Sequence, residues 1–268
     1  MQLGAMNHPA KDVVEEIRWI AEHGFDYIDL TLEPPAADPR TLDVSRVAAA
    51  LEKYELPVVA HTAYYLSYAT PFTTIRKACL EELSVAVEVA GKLGAKLVTV
   101  HFSRPPKFFS EDDVFAWHRE ILAPLCDLAE QCGTVIAVEQ SPFPQCRQID
   151  ILERLLTELP GLRFHLDAGH ARLEPQGDLW EEYLTRLGRF LVHVHLSEND
   201  GTCDQHLPLG AVPGQFWQWP RRIAQLQSLP YDGTITLEVF APEPDYLLLS
   251  RDLVRRWWDE AGERQSAA

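Results

Sequence analysis

Cysteine is scarce in this 268-residue chain: there are five, Cys79, Cys126, Cys132, Cys146 and Cys203, an odd number with no C-x-x-C pair. That pattern points to a reducing cytoplasm rather than to a disulfide framework. No apolar run approaches the ~18 residues that would cross a bilayer. The opening "MQLGAMNHPAKDVV" lacks the basic start and apolar core of a secretory signal, so a soluble cytoplasmic protein is expected. Basic residues are few as well, 24 against 40 acidic ones, giving a formal charge of −16. A surface of that sign repels polyanions at long range and weighs against a general nucleic-acid binder. Low-complexity tracts are absent, and 46% hydrophobic with 10% aromatic residues is an ordinary globular composition. Only the polar end "GERQSAA", residues 262–268, reads as a flexible tail.

What the chain does contain is an alternation. Short runs rich in β-branched residues, "FDYIDLTLE", "LPVVAH", "AKLVTVH", "GTVIAVE", "LRFHLD", "FLVHVH" and "GTITLE", are separated by longer segments with helical spacing. Among the latter, "KDVVEEIRWIAEHG", "PFTTIRKACLEELSVAVEVAGKLG" and "EDDVFAWHREILAPLCDLAEQCG" each end in glycine, a common helix stop. With "MQLGA" at the start there are eight strands in βαβ order, which predicts an α/β fold, a single (β/α)8 TIM barrel over residues 1–268.

Six strands aligned on their last residue bring His61, His101, Glu139, Asp167, His195 and Glu238 into register. One residue earlier stand Ala60, Val100, Val138, Leu166, Val194 and Leu237, and three earlier Val58, Val98, Ile136, Phe164, Val192 and Ile235. Strand side chains alternate between faces, so these twelve apolar residues are expected outside, against helices. The residues two earlier, Val59, Thr99, Ala137, His165, His193 and Thr236, then lie inside, beneath the aligned acids and histidines. Glu33 continues the register, with Thr31 inward. In a (β/α)8 barrel the carboxyl-end face is where active sites are built.

A strand-end carboxylate or histidine is, taken singly, an ordinary loop anchor. Six on one face differ, because an empty cluster of carboxylates suffers repulsion and desolvation unless cations occupy it. Mixed imidazole and carboxylate donors without thiolate suit zinc, manganese or iron better than calcium or magnesium. "HLDAGH" adds His170, and "DQH" adds Asp204 and His206 in the loop after the seventh strand. Nine donors are too many for one ion with open positions, so two or three divalent ions are expected if all nine bind, within an overall expectation of one to three per chain. His165 and His193 read as satisfied interior histidines or partners that orient ligands. His8, His23 and His118 read as surface or packing residues, and Cys203 as a free thiol in a turn.

The strand-end series, with "LDAGHA", "HVHLSENDG" and "DQHLPLG", resembles the xylose isomerase-like barrel superfamily. That superfamily includes sugar-phosphate isomerases and epimerases, ketose 3-epimerases and the endonuclease IV family of abasic-site nucleases. The resemblance to the ketose epimerases implies one divalent metal held by Glu139, Asp167, His195 and Glu238. The resemblance to the nucleases implies three zinc ions held by these four with His61, His101, His170, Asp204 and His206. "HLSENDGTCDQH" is shorter than the nuclease pattern and lacks its lysine, and "HTAYYLSYA" keeps only Tyr64 of the corresponding nuclease stretch.

Two mechanisms follow. In an isomerase or epimerase, the metal polarises a sugar carbonyl while Glu139 and Glu238, facing each other across the ring, serve as acid and base. Arg104 and Lys107 in "HFSRPPKFF" are candidates for binding an anionic group, Trp217 in "PGQFWQW" for lining a sugar face, with Trp219 beside it, and Glu33 and Tyr64 complete the candidate substrate contacts. The alternative is a trinuclear-zinc phosphodiesterase acting on abasic DNA. Its DNA-gripping loops after the first three strands contain only Lys11 and Arg40 as basic residues, which is thin for a bent duplex. The expected partner is therefore a small carbohydrate, with nucleic acid and membrane disfavoured and the oligomeric state open.

Overall fold

The computed structural model describes residues 1–142, 148–175, 177–229, 231 and 233–266; Cys146 lies outside them. Eight parallel strands close a barrel: β1 (Gln2–Met6), β2 (Tyr27–Leu32), β3 (Val58–Thr62), β4 (Val98–His101), β5 (Ile136–Glu139), β6 (Leu162–Asp167), β9 (Leu191–Leu196) and β10 (Thr234–Leu237). Helices α1 (Val13–Glu22), α2 (Val44–Lys53), α3 (Thr73–Lys92), α4 (Glu111–Gln131), α5 (Gln148–Glu158), α6 (Trp180–Leu187), α7 (Trp219–Ser228) and α8 (Asp245–Ser266) make the connections and the outer layer. A two-stranded hairpin, β7 (Arg172–Leu173) and β8 (Gly177–Asp178), sits in the loop after β6. No helix of the described residues is long and apolar enough to cross a membrane.

Helix starts follow local chemistry. Asp12 accepts from the amides of Val14 and Glu15 at the head of α1, and Ser110 exchanges hydrogen bonds with Asp113 at the head of α4. Eleven of the twelve residues expected outside do join the core between barrel and helices. Val192 does not: it packs toward the interior cluster of Tyr27, Val59, Leu97 and Ala137. The cause is a register shift, since Phe164 pairs with Leu191 and His165 with His193, leaving Val192 as a bulged extra residue. The tail expected over 262–268 is helical through Ser266, because α8 is pinned by buried Ala261 and by Gln227 donating to the Trp258 carbonyl. Ala267 and Ala268 lie outside the described residues.

His101 stands level with Glu139, and Asp167 with His195, but at the other seams the aligned strand ends are staggered. His61 pairs with Thr31 on one side and Thr99 on the other, Glu139 with His165, and His195 with Thr236. Each is a step of two residues against the aligned series, which is how a closed barrel accumulates its shear. The steps keep every inward residue inward while bringing different depths of adjacent strands side by side. Glu33 falls just past the end of β2, half-buried at the rim. Below the polar mouth the interior is closed by the Tyr27, Val59, Leu97 and Ala137 cluster, so the site opens in one direction only.

Gly4 makes one of these cross-barrel approaches possible. A Cβ there would meet the Tyr27 ring at 2.4 Å, and that ring passes β1 to place its hydroxyl 2.7 Å from Thr236 Oγ1. Tyr27 is 1% exposed and has no room to retreat. Gly4→Ala is therefore expected to lower the unfolding free energy by about 1–3 kcal/mol, the usual cost of overpacking a core. Denaturant titration of the two proteins checks this, and equal midpoints would show that the ring moves freely.

Candidate metal centre

The nine expected donors form one continuous cluster. At its centre Glu139 is fully buried, with Oε2 3.1 Å from both His61 Nε2 and His101 Nε2 and Oε1 3.3 Å from His170 Nδ1. His170 Nε2 lies 3.1 Å from Asp204 Oδ2, which is also 3.1 Å from His206 Nε2. His206 Nδ1 is 3.6 Å from Glu238 Oε2, and that oxygen is 3.0 Å from His195 Nδ1. Asp167 Oδ2 closes the circuit 3.9 Å from His195 Nδ1. Beside a deeper trio of His165, His193 and His195, two sets drawn from these nine donors are tight enough for an ion, with donor atoms within 4.8 Å of one another: His61, His101 and Glu139, and Glu139, Asp167, His195 and Glu238. Glu139 belongs to both.

The surroundings fix which nitrogen each imidazole offers. His61 Nδ1–H donates to the Thr62 carbonyl at 3.0 Å and His170 Nδ1–H to the Gln140 carbonyl at 2.8 Å, so in the neutral rings Nε2 carries the lone pair. Gln140, absent from the sequence reading, bridges strands: its side chain accepts from the Asp167 amide at 3.0 Å and donates to the Asp167 carbonyl at 2.6 Å. Gly169 in "DAGH" passes close to the site, where a Cβ would stand 2.9 Å from Ser197 Oγ and 3.1 Å from Asp167 Oδ1. His165 and His193 lie beneath, fully buried and hydrogen-bonded to Thr99 and Thr234, consistent with interior or supporting histidines. Asp29, which sequence reasoning also passed over, accepts from His193 and His195 at 3.0 Å each.

Asp204 and His206 reach the cluster from a loop, and Glu198 holds that loop. Its buried carboxylate accepts from the amides of Gly210 and Val212 at 2.7 Å and from Trp219 Nε1 at 2.6 Å, while its backbone pairs with Leu207 in both directions. These bonds keep His206 in the left-handed region at φ 49, which a non-glycine residue adopts only when its surroundings impose it. Trp217 belongs to this support and not to a sugar face: it is 3% exposed, stacked on Trp219 at 5.0 Å, with its indole N–H given to the Asn199 carbonyl. The other expected substrate contacts lie around the mouth. Tyr64 is 71% exposed with its ring edge toward His101, Glu33 is half-buried, and the β4 loop carries half-buried Arg104 and exposed Lys107. His118 packs under Phe102, His23 stacks on Trp19, His8 is exposed, and Cys203 is an exposed free thiol.

Residues 17–259 match the family described as the xylose isomerase-like TIM barrel. The chain belongs to that family. A protein of Methanocaldococcus jannaschii without an assigned activity is 26% identical over 231 residues, covering 82% of this chain and 76% of that protein. The fructoselysine 3-epimerase of Shigella flexneri is 23% identical over 249 residues, covering 87% of each. A crystal structure of a D-tagatose 3-epimerase-like protein superposes with a TM-score of 0.82 at 24% identity, covering 98% of this chain and 99% of that one.

Within this xylose isomerase-like barrel the cluster has the electrostatics of a cation site. Burial pushes Asp167 up to about 7, with Glu238, Glu139 and Asp204 adding to the rise against His170. Burial acts upward on Glu139 too, but His101, His165, His61 and His170 outweigh it and hold the carboxyl well below its usual range. Glu238 is likewise held down, to about 2, by His206 and His195 against burial. His206 rises to about 9, its burial overcome by Glu238 and Asp204, and His170 and His195 also rise, while burial lowers His101 to about 4. Among the described residues, Glu139 Oε1, Asp167 Oδ2 and Asp204 Oδ1 are buried without a hydrogen-bond partner. Orphaned carboxylate oxygens aimed into a group of imidazoles are what a bound cation would satisfy, and the donor set fits one.

At neutral pH His206 and a fraction of Asp167 hold protons that a cation must displace. Metal uptake is thus expected to release protons and to strengthen as pH rises toward about 9. Calorimetric titration of metal-free protein at pH 7 in buffers of different ionisation heat reads this directly. An enthalpy independent of buffer would refute it.

Proposed function

We propose that the protein is a divalent-metal-dependent isomerase or epimerase acting on a sugar or sugar phosphate by proton transfer next to a carbonyl. The observation that carries the reading is the convergence of Glu139, Asp167, His195 and Glu238, one from each of the last four barrel strands or its end, within 4.8 Å. The fructoselysine 3-epimerase among the relatives and the D-tagatose 3-epimerase-like fold support the substrate class. Zinc, manganese and iron suit these donors. A cation held there would polarise the substrate carbonyl and the adjacent hydroxyl and so make the neighbouring C–H acidic.

The chain supplies the rest. Glu139 and Glu238 are both held ionised, so each is ready to accept a proton at a carboxylate oxygen. One takes the proton from the carbon beside the carbonyl and, now a carboxylic acid, can give it back to the neighbouring carbon; return to the opposite face falls to the other once it has itself taken up a proton through the open mouth. The apolar plug below and the surrounding backbone exclude water from all sides but the mouth. Glu33, Tyr64, Arg104 and Lys107, which follow the ends of β2, β3 and β4, are our candidates for substrate contacts, the last two suiting an anionic group.

A second reading, the trinuclear phosphodiesterase, draws on the continuous contact of all nine donors, with Asp204 Oδ2 reaching both His170 and His206. Against it, the two basic residues of the loops that would grip DNA are already paired, Arg40 with Glu81 and Glu82 and Lys11 with Glu16. The deciding experiment assays metal-stripped and reloaded protein on a ketose panel in deuterated water and on an abasic oligonucleotide. Exchange of the proton next to the carbonyl, lost on chelation and reduced about 10²–10⁴-fold in Glu139→Gln or Glu238→Gln, is expected. Strand scission without sugar turnover would replace this function with the second.

A further inference from the structure

We infer that Asp29 is the positioning residue that fixes which nitrogen His195 presents to the metal-binding donors. The inference rests on the metal reading above and concerns a residue outside the nine donors. Asp29 stands in the middle of β2, fully buried, and its side chain points into the barrel rather than to the mouth. Its Oδ2 accepts three hydrogen bonds: from His195 Nε2–H at 3.0 Å, from His193 Nε2–H at 3.0 Å and from Thr236 Oγ1–H at 2.9 Å.

The partners give each bond a direction. Thr236 donates to Asp29 and accepts from the Tyr27 hydroxyl at 2.7 Å; His193 Nδ1 lies 2.7 Å from the Thr234 hydroxyl and 3.1 Å from the Thr234 carbonyl, so the bond to Asp29 takes its direction from the carboxylate that Nε2 faces. A carboxylate can only accept, so both imidazoles must keep a proton on the nitrogen that faces it. His195 Nδ1 is then the atom left toward the mouth, 3.0 Å from Glu238 Oε2 and 3.9 Å from Asp167 Oδ2. Neighbouring rings hold the plane, with His61 stacked at 5.5 Å and His165 edge-on at 4.1 Å.

The same residues could be taken for a second ion site, because donor atoms of His165, His193 and His195 lie within 4.8 Å. Hydrogen bonding speaks against this. His193 and His195 both commit Nε2 to Asp29, and His165 Nδ1 is 3.1 Å from the Thr99 hydroxyl. The lower tier is therefore a scaffold that supports the upper one. Such carboxylate partners of ligating histidines orient the ring and raise its basicity, and their loss costs metal affinity.

The test compares wild type, Asp29→Asn and Asp29→Ala, each confirmed folded by circular dichroism, for cadmium and zinc affinity by chelator competition. Coupling between cadmium and isotope-labelled imidazole nitrogens is recorded by NMR on the same proteins. In the wild type the metal is expected to couple to His195 Nδ1, with the proton retained on Nε2. Asp29→Asn, which keeps an acceptor but no charge, should bind about 10-fold more weakly, and Asp29→Ala about 100-fold more weakly with the Nδ1 coupling gone. Unaltered affinity in both variants, or coupling through Nε2 in the wild type, overturns the role of Asp29 alone. A wild type that takes up neither metal overturns the metal reading and this inference with it. If neither variant folds, the nitrogen found coupled in the wild type decides the matter.

Discussion

Carboxylates crowded together away from water constrain everything else in this barrel. Glu139, Asp167 and Glu238 are at most 8% exposed, and Asp204 stands beside them on its loop. At a separation of ~4 Å and an effective dielectric constant of ~20, two like charges repel by about 4 kcal/mol. Such a group persists only with positive charge among its members. His170, His195 and His206 supply it as protonated rings, each driven above its ordinary range by the acids around it. Protons on those rings and the divalent cation proposed for the site would thus be alternative occupants of one electrostatic hole. The chemistry of the site follows from the competition between them.

The barrel lowers the cost of this arrangement by dividing its interior into tiers. Apolar Tyr27, Val59, Leu97 and Ala137 seal the amino end. Above them Thr99, Thr234 and Thr236 with Asp29, His165 and His193 form a hydrogen-bonded layer. The strand-end donors come last. The middle layer supports the donors above it most directly where Asp29 accepts from His195, while Glu139 Oε1 and Asp167 Oδ2 stay without a hydrogen-bond partner.

Much of this was legible in the chain because a βαβ barrel repeats one grammar eight times. Strand periodicity gave the fold, and alignment on strand ends gave residues that converge at one mouth, because both depend on local alternation alone. What escaped depends on contacts between strands distant in sequence. Asp29 has the parity of Thr31, so its inward direction could be read, but its meeting with His195 depends on the two-residue register steps that barrel closure imposes. Val192 was misplaced because a bulge has no signature in an apolar run. Trp217 was expected to line a sugar face; its indole bond to Asn199 and stack on Trp219 make it packing. The polar composition of 262–266 hid a helix held by Ala261 and the contact with α7.

The donors also differ in how they are held, and the difference bears on access. His61, His101, Glu139, Asp167 and His195 lie on barrel strands, and Glu238 directly follows one, so their positions are as rigid as the sheet. Asp204 and His206 sit on a connection that Glu198 ties down through three side-chain hydrogen bonds and one backbone bridge, with His206 in a left-handed conformation. Local opening in proteins draws on segments with few such ties and costs less than unfolding the core. Glu198 and the Trp217–Trp219 stack thereby set the stability of the outer donors independently of the inner ones. A change in that support would alter the mouth of the site while leaving Glu139, Asp167, His195 and Glu238 where the strands put them.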